Sequence, residues 1–266
     1  MNDSRNSQKF NFKGASGVTI GSIKQGSCAS GPIVSSEPAG VLERPRTILF
    51  LGANPVGTSP LRLDLEVRAI DESLRAAPLG SRFRLEQVWA AGYFDVQEAL
   101  LRLQPDLVHF SGHGSSDGEL AFETAAERNL SILLPPSTGE QLAARGRPPS
   151  IAALSRLFSL AGGKVRCVVL NACFSETQAR GIAENIGCVI GMENPIKDTS
   201  AIRFARGFYQ ALASGLSVKV AFDLGCTQLN LGDRRDRATP RLFSANVDPS
   251  GLVLTERSLS EPADSP

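Results

Sequence analysis

A chain of 266 residues that is 42% hydrophobic and 21% charged can bury a full core in one domain with extensions. Its formal net charge of +1 gives no electrostatic basis for nucleic-acid binding, and its one basic cluster, Arg234, Arg235 and Arg237, is interrupted by Asp233 and Asp236. No run approaches the ~20 apolar residues of a membrane span, the N-terminus lacks the apolar core of a secretory signal, and five cysteines without paired spacing suggest neither a disulfide framework nor a zinc site. The expectation is a cytoplasmic protein with free thiols, no metal and no cofactor, and with neither a membrane nor a nucleic acid as partner.

Residues 1–43 hold eight Ser and six Gly without sustained periodicity, too little apolar surface to offset the entropy of ordering, and read as a flexible arm. From residue 44 the pattern changes to strands alternating with amphipathic helices. That alternation predicts an α/β domain over 44–230 with a mainly parallel central sheet and helices on both faces. Ile48 to Ala53 is the first strand. A helix over about 62–77 has Leu63, Val67, Ile70 and Leu74 on one face, and an extended stretch follows from Phe83 to Trp89. The second helix starts at Asp95, paired with Glu98 as a cap, and ends before Pro105.

Asp106 to Phe110 forms the next strand and runs into Ser111-Gly112-His113-Gly114. Residues 118–123 and 131–134 predict a hairpin, and the Pro/Gly-rich 135–149 predicts an exposed loop open to processing. A helix from Ser150 to Ala161 leads into a strand over Val165 to Leu170, which runs into Asn171-Ala172-Cys173. Ser175 with Gln178 reads as a capping box for the following helix. A strand at Cys188 to Met192 and helices over about 199–214 and 218–229 complete the unit. The segment 231–266 is expected to be an extension, partly disordered, with an edge hairpin formed by Leu242-Phe243 and Leu252 to Leu254 around Asp248 to Gly251.

The informative features are the two apolar strands that stop on reactive side chains, because buried parallel strands present such residues to a crevice outside their carboxyl ends. His113, between two glycines, can project its ring and exchange a proton near neutral pH. Cys173 lies just before a helix N-terminus, which favours a thiolate. From the local sequence alone it reads equally as a buried structural cysteine. His109, mid-strand between Val108 and Phe110, is expected to be a satisfied core histidine. Cys167, Cys188 and Cys226 fall on apolar positions and read as core, while Cys28 lies in the arm and is given no specific role.

His113 followed 60 positions later by Cys173, each in its strand context, together with Leu49 to Pro55, Leu61 to Glu66 and Val189 to Met192, resembles cysteine peptidases of the caspase and separase group, specifically the CHAT domain, over about 45–230. The resemblance implies a caspase-like three-layer sandwich and a cysteine endopeptidase acting by a Cys-His dyad through a thioester acyl-enzyme on a protein or peptide substrate. It also implies an oxyanion hole made by the Gly114 and Cys173 amides. Asn171 stands where metacaspases carry an Asp for a basic P1 side chain, the substrate residue before the scissile bond. Asp198, placed like the acidic residue that reads P1 Arg in separases, is the replacement candidate, with a helix N-cap as its alternative reading, and Glu193 is the weaker candidate.

In the arm, residues 10–23 alternate Val18 and Ile20 with short polar residues, as a strand without a partner does. They resemble the N-terminal signalling motifs of bacterial immune effectors, which implies recruitment by an NLR-like or other receptor in a stress or antiphage cell-death pathway. A leader without function is the alternative. For the whole chain the competing reading is a catalytically inactive caspase-like scaffold or adaptor.

Overall fold

The alternating patterns resolve into a six-stranded sheet flanked by helices in the computed structural model, which describes residues 44–123, 149–232 and 239–255. In chain order the elements are β1 (Arg46–Gly52), α1 (Leu63–Arg75), β2 (Phe83–Val88), α2 (Tyr93–Leu103), β3 (Leu107–Ser111), α3 (Ile151–Ala161), β4 (Cys167–Asn171), α4 (Glu176–Ala183), β5 (Cys188–Met192), α5 (Asp198–Leu212), α6 (Val218–Gly232) and β6 (Pro240–Phe243). The sheet order is β2-β1-β3-β4-β5-β6, parallel except for β6, which pairs antiparallel with β5.

Side chains alternate along each strand, and each central strand is buried on both faces, which is why these segments read as continuous apolar runs. Ile48, Phe50, Leu107, Cys167, Val169 and Ile190 pack with α1, α5 and α6 on one face. Leu49, Leu51, Val108, Phe110, Val168, Leu170 and Val189 pack with α2, α3 and α4 on the other. The expected three-layer α/β sandwich with helices on both faces is therefore the observed architecture. The chain leaves β1 toward β2 on one side and reaches β3 on the other, so the strand order reverses between β1 and β3. In open α/β sheets such a reversal opens a crevice at the carboxyl ends of the strands.

Several local expectations are corrected. Ser175 does not cap α4 with its side chain. Its hydroxyl donates to the Leu170 carbonyl (2.8 Å) and accepts from the Met192 amide (2.9 Å), tying β4 to β5. Helix α2 begins at Tyr93, and Asp95 instead accepts from the Gly92 amide (2.7 Å) in its third position. Ser150 does cap α3, accepting from the Ala153 amide at 3.2 Å. Of the C-terminal hairpin, only residues 240–243 form a strand. Leu252 and Leu254 are buried without one, their carbonyls accepting from the Val218 amide and the Arg46 guanidinium (both 2.9 Å). The described part of 231–266 thus completes the sheet and core. Gly114 and Leu120 form a single antiparallel bridge. The arm with its 10–23 motif, the expected strand at 131–134, most of the 135–149 loop and the tail from 256 lie outside the described residues.

Candidate functional site

The strands β3 and β4 are neighbours in register, with Ser111 opposite Asn171 at their last positions. Odd-numbered residues of both face α1, and the alternation carries on past the strand ends: Ala172 packs in the opposite core, whereas His113 and Cys173 turn to the α1 side. There they line one cleft of about 30 Å³, room for ~two waters, whose walls also include Leu61, Leu63, Ile196 and Ala201. The two motif loops touch through Gly114. A Cβ at this position would lie 1.9 Å from the Cys173 carbonyl oxygen, so only glycine admits the approach. Phe174, directly after the cysteine, has φ +55°, a left-handed conformation that a bulky residue adopts only when held there.

His113 is partly exposed, and its Nε2 lies 2.9 Å from the Ser59 carbonyl in the loop between β1 and α1. A carbonyl only accepts, so Nε2 carries a proton. The Cys173 thiol donates to the Ile196 carbonyl at 3.9 Å. Ring and thiol line the same cleft, each held by a separate carbonyl from the loops after β1 and β5. Among the described residues, no backbone or side-chain acceptor takes the Gly114 or Cys173 amide. Among the other described thiols, burial pushes Cys188 and Cys226 up to about 11, and Cys167 well above the ordinary thiol range. They are held as neutral thiols near neutral pH, and Cys167 and Cys188 are buried.

Next to His113 and Cys173 lies a buried polar network. Glu66 projects from α1 and is 3% exposed, accepting from His109 Nε2 (2.8 Å), Asn171 Nδ2 (2.5 Å) and Ser111 Oγ (2.5 Å). Burial alone would push its carboxyl up. The bond and the charge that His109 offers, with the bonds from Ser111 and Asn171, outweigh that and hold it below its ordinary range, so it is ionised. His109 is fully buried as expected, its Nδ1 3.0 Å from the Tyr209 hydroxyl of α5. Burial raises the Tyr209 phenol well above its usual range, so it remains protonated beside His109 Nδ1.

Asn171 lines the cleft, and its Oδ1 is buried without a protein partner. Asp198 also lines the cleft. It is the first residue of α5, preceded by Lys197 at the N-cap position, and its Oδ2 accepts from the Arg62 amide (3.1 Å) at the start of α1. Glu193 is not among the cleft residues. Its carboxylate accepts from Arg241 of β6 at 2.7 and 3.1 Å. The central carboxylate, Glu66, escaped the sequence reading although the signal was there: it falls three residues after Leu63 and four before Ile70, inside the apolar stripe of α1.

Among the described residues there is no group of three His, Cys, Asp or Glu that could hold a metal, and no helix is long and apolar enough to cross a membrane. A caspase-like α/β sheet that places a cysteine and a histidine at the ends of adjacent strands defines the caspase-like cysteine peptidases. The model of the CHAT domain family matches residues 62–250, and the chain belongs to that family. Among solved structures it resembles the Arg-specific cysteine proteinase gingipain R, with a TM-score of 0.52 and 13% identity. The match covers 78% of this chain and 47% of gingipain R, so the chain spans about half the length of that protein and shares its fold. No curated protein matches by sequence.

Proposed function

We propose that the protein is a cysteine endopeptidase with Cys173 as nucleophile and His113 as its proton partner. The observation that carries this reading is the single cleft lined by both side chains at the ends of β3 and β4. His113 Nδ1 takes the thiol proton. The sulfur then forms a bond to the peptide carbonyl carbon as the π electrons move to oxygen, and the Gly114 and Cys173 amides donate to that oxyanion. Collapse expels the amine, which takes the proton from His113 and leaves a thioester. Water, deprotonated by His113, attacks the thioester, and the acid departs as the thiol regains its proton. Asp198 and Asn171, both in the cleft, contact the substrate side chain.

The arm, through residues 10–23, recruits the peptidase to an upstream receptor in a bacterial stress or antiphage cell-death pathway. This part rests on the alternating Val18 to Ile23 pattern alone.

The deciding experiment is activity-based labelling with peptides that carry a thiol-reactive acyloxymethyl ketone. Labelling should map to Cys173 and should be lost in Cys173→Ala and strongly slowed in His113→Ala, with both variants folded. The scaffold reading is favoured by the separate anchoring of ring and thiol on Ser59 and Ile196. It takes over if Cys173 reacts with iodoacetamide but with no peptide probe, whereas cleavage kept in Cys173→Ala would show that the nucleophile is another residue.

A further inference from the structure

We infer that the outer edge of β2 is a docking surface for a second copy of this chain, whose own β2 pairs with it antiparallel about a two-fold axis at Leu85. The two edges of the sheet are built differently. β6 is four residues long and starts with a proline, Pro240, and both features keep an edge from recruiting another strand. β2 runs for six residues, Phe83-Arg84-Leu85-Glu86-Gln87-Val88, without proline, glycine or lysine. It follows β1 residue by residue, from Arg46 opposite Phe83 to Leu51 opposite Val88, with no bulge to twist the edge away. Among the described residues no strand pairs with its other side, so β2 offers a regular row of backbone donors and acceptors.

The charges on β2 identify the occupant. Arg84 and Glu86 share one face of the strand, 3.0 Å apart, with side chains 58% and 34% exposed. Phe83 and Leu85 share the other face and pack with the core beside α1. A two-fold axis normal to the sheet keeps each face continuous across the pair, so the register is centred on a residue and not between two. Centred on Leu85, it sets Arg84 opposite Glu86 of the second copy and Glu86 opposite Arg84 of the second copy. Centred on Arg84 or on Glu86, it would set like charges directly against each other, which destabilises a strand pair. The charge order along β2 therefore complements a reversed copy of itself and selects a single register. β1 lies between β2 and β3, so this edge is apart from the cleft at the ends of β3 and β4, and the pairing does not depend on the peptidase reading.

The test weighs the full-length protein in solution by sedimentation and light scattering, over a dilution series from about 100 μM down. The wild type should be a dimer that dissociates on dilution. Arg84→Glu, which leaves two acids on the face, and Glu86→Arg, which leaves two bases, should each weaken self-association about 10-fold or more, because both opposed pairs turn repulsive. Mixed in equal amounts, the two variants should associate again, since every opposed pair is once more acid against base; a folding defect would not be repaired by mixing. Cysteine placement reads the register in otherwise wild-type protein. Under mild oxidation Leu85→Cys should join two chains at that position, where opposed Cβ atoms stand about 5 Å apart, as peptide mapping will show. Gln87→Cys, about 14 Å from its counterpart in this register, should not. A monomer at every concentration overturns the pairing. So does a dimer that tolerates Arg84→Glu, a mixture that fails to associate, or joining through Gln87→Cys in place of Leu85→Cys.

Discussion

Glu66→Ala tests whether the network under the cleft holds the fold as its geometry requires. Removing the carboxylate leaves three donors without acceptors: His109 Nε2–H, Ser111 Oγ–H and Asn171 Nδ2–H, on side chains no more than 4% exposed. Each orphaned buried donor costs about 1–3 kcal/mol, an upper sum near ~9. Water entering the cleft can reach Ser111 and Asn171, which line it, but His109 does not line it and is fully buried. The expected loss is therefore about 3–5 kcal/mol, the range for breaking one side of a buried pair. Trp89 is the only tryptophan and lies 5.6 Å from Phe50, whose ring stacks on His109, so urea unfolding followed by its fluorescence reports on this region. Glu72→Ala, which removes an exposed partner of Arg68, is the control and should lose less than about 1 kcal/mol. The pH dependence has a definite sign. Glu66 titrates in the folded protein below its ordinary 4.5, so its stabilisation is complete above that value and fades as pH falls through the folded one. The gap between wild type and Glu66→Ala should shrink as pH drops below 4.5. A loss at pH 7 no larger than that of the control would refute the reasoning.

Two further outcomes are expected. Gly114→Ala, whose Cβ would lie 1.9 Å from the Cys173 carbonyl oxygen, forces the two motif loops apart and should lower kcat/KM on a peptide substrate by about 100-fold or more through displaced amide donors; cleavage within threefold of wild type would show that the contact is slack. A chain beginning at Arg44 should fold and keep Cys173 reactive, because every residue of the cleft lies after that point, yet fail to respond to its cellular trigger at matched expression; unchanged triggering would assign activation to the peptidase domain itself.

The strands and most helix faces were legible because burial on both sides of a parallel sheet writes long apolar runs, and amphipathic helices write a 3.6-residue period. The two cleft residues His113 and Cys173 were legible as candidates for a related reason, since each stands just past such a run. What escaped was settled by contacts distant in sequence. Ser175 has the spacing of a capping box with Gln178, but the edge of β5 offers the Met192 amide and β4 the Leu170 carbonyl, and these claim the hydroxyl. Glu66 was passed over because an acidic residue in an apolar stripe looks like an interruption. Its three donors come from positions 43, 45 and 105 residues away, which no local pattern displays. The strand β6 was half read: Leu242-Phe243 pairs with β5, whereas Leu252 and Leu254 are buried by their position under α6 and β1, without a ladder.

The energetics of position 66 bear on why a charge is there at all. A buried carboxylate with its donors is rarely the most stable filling for a core site, and well-packed apolar groups of similar volume often do as well or better. The α1 face already supplies such groups in Leu63, Val67, Ile70 and Leu74, so the packing does not call for an acid among them. Three donors from two strands hold Glu66 ionised beside a second carboxylate, Asp198, and beside the open oxygen of Asn171. Charge, open acceptor and apolar walls thus converge within the same cleft as Cys173. The carboxylate therefore ties β3 and β4 to α1 through its donors at a position where packing alone would accept an apolar side chain.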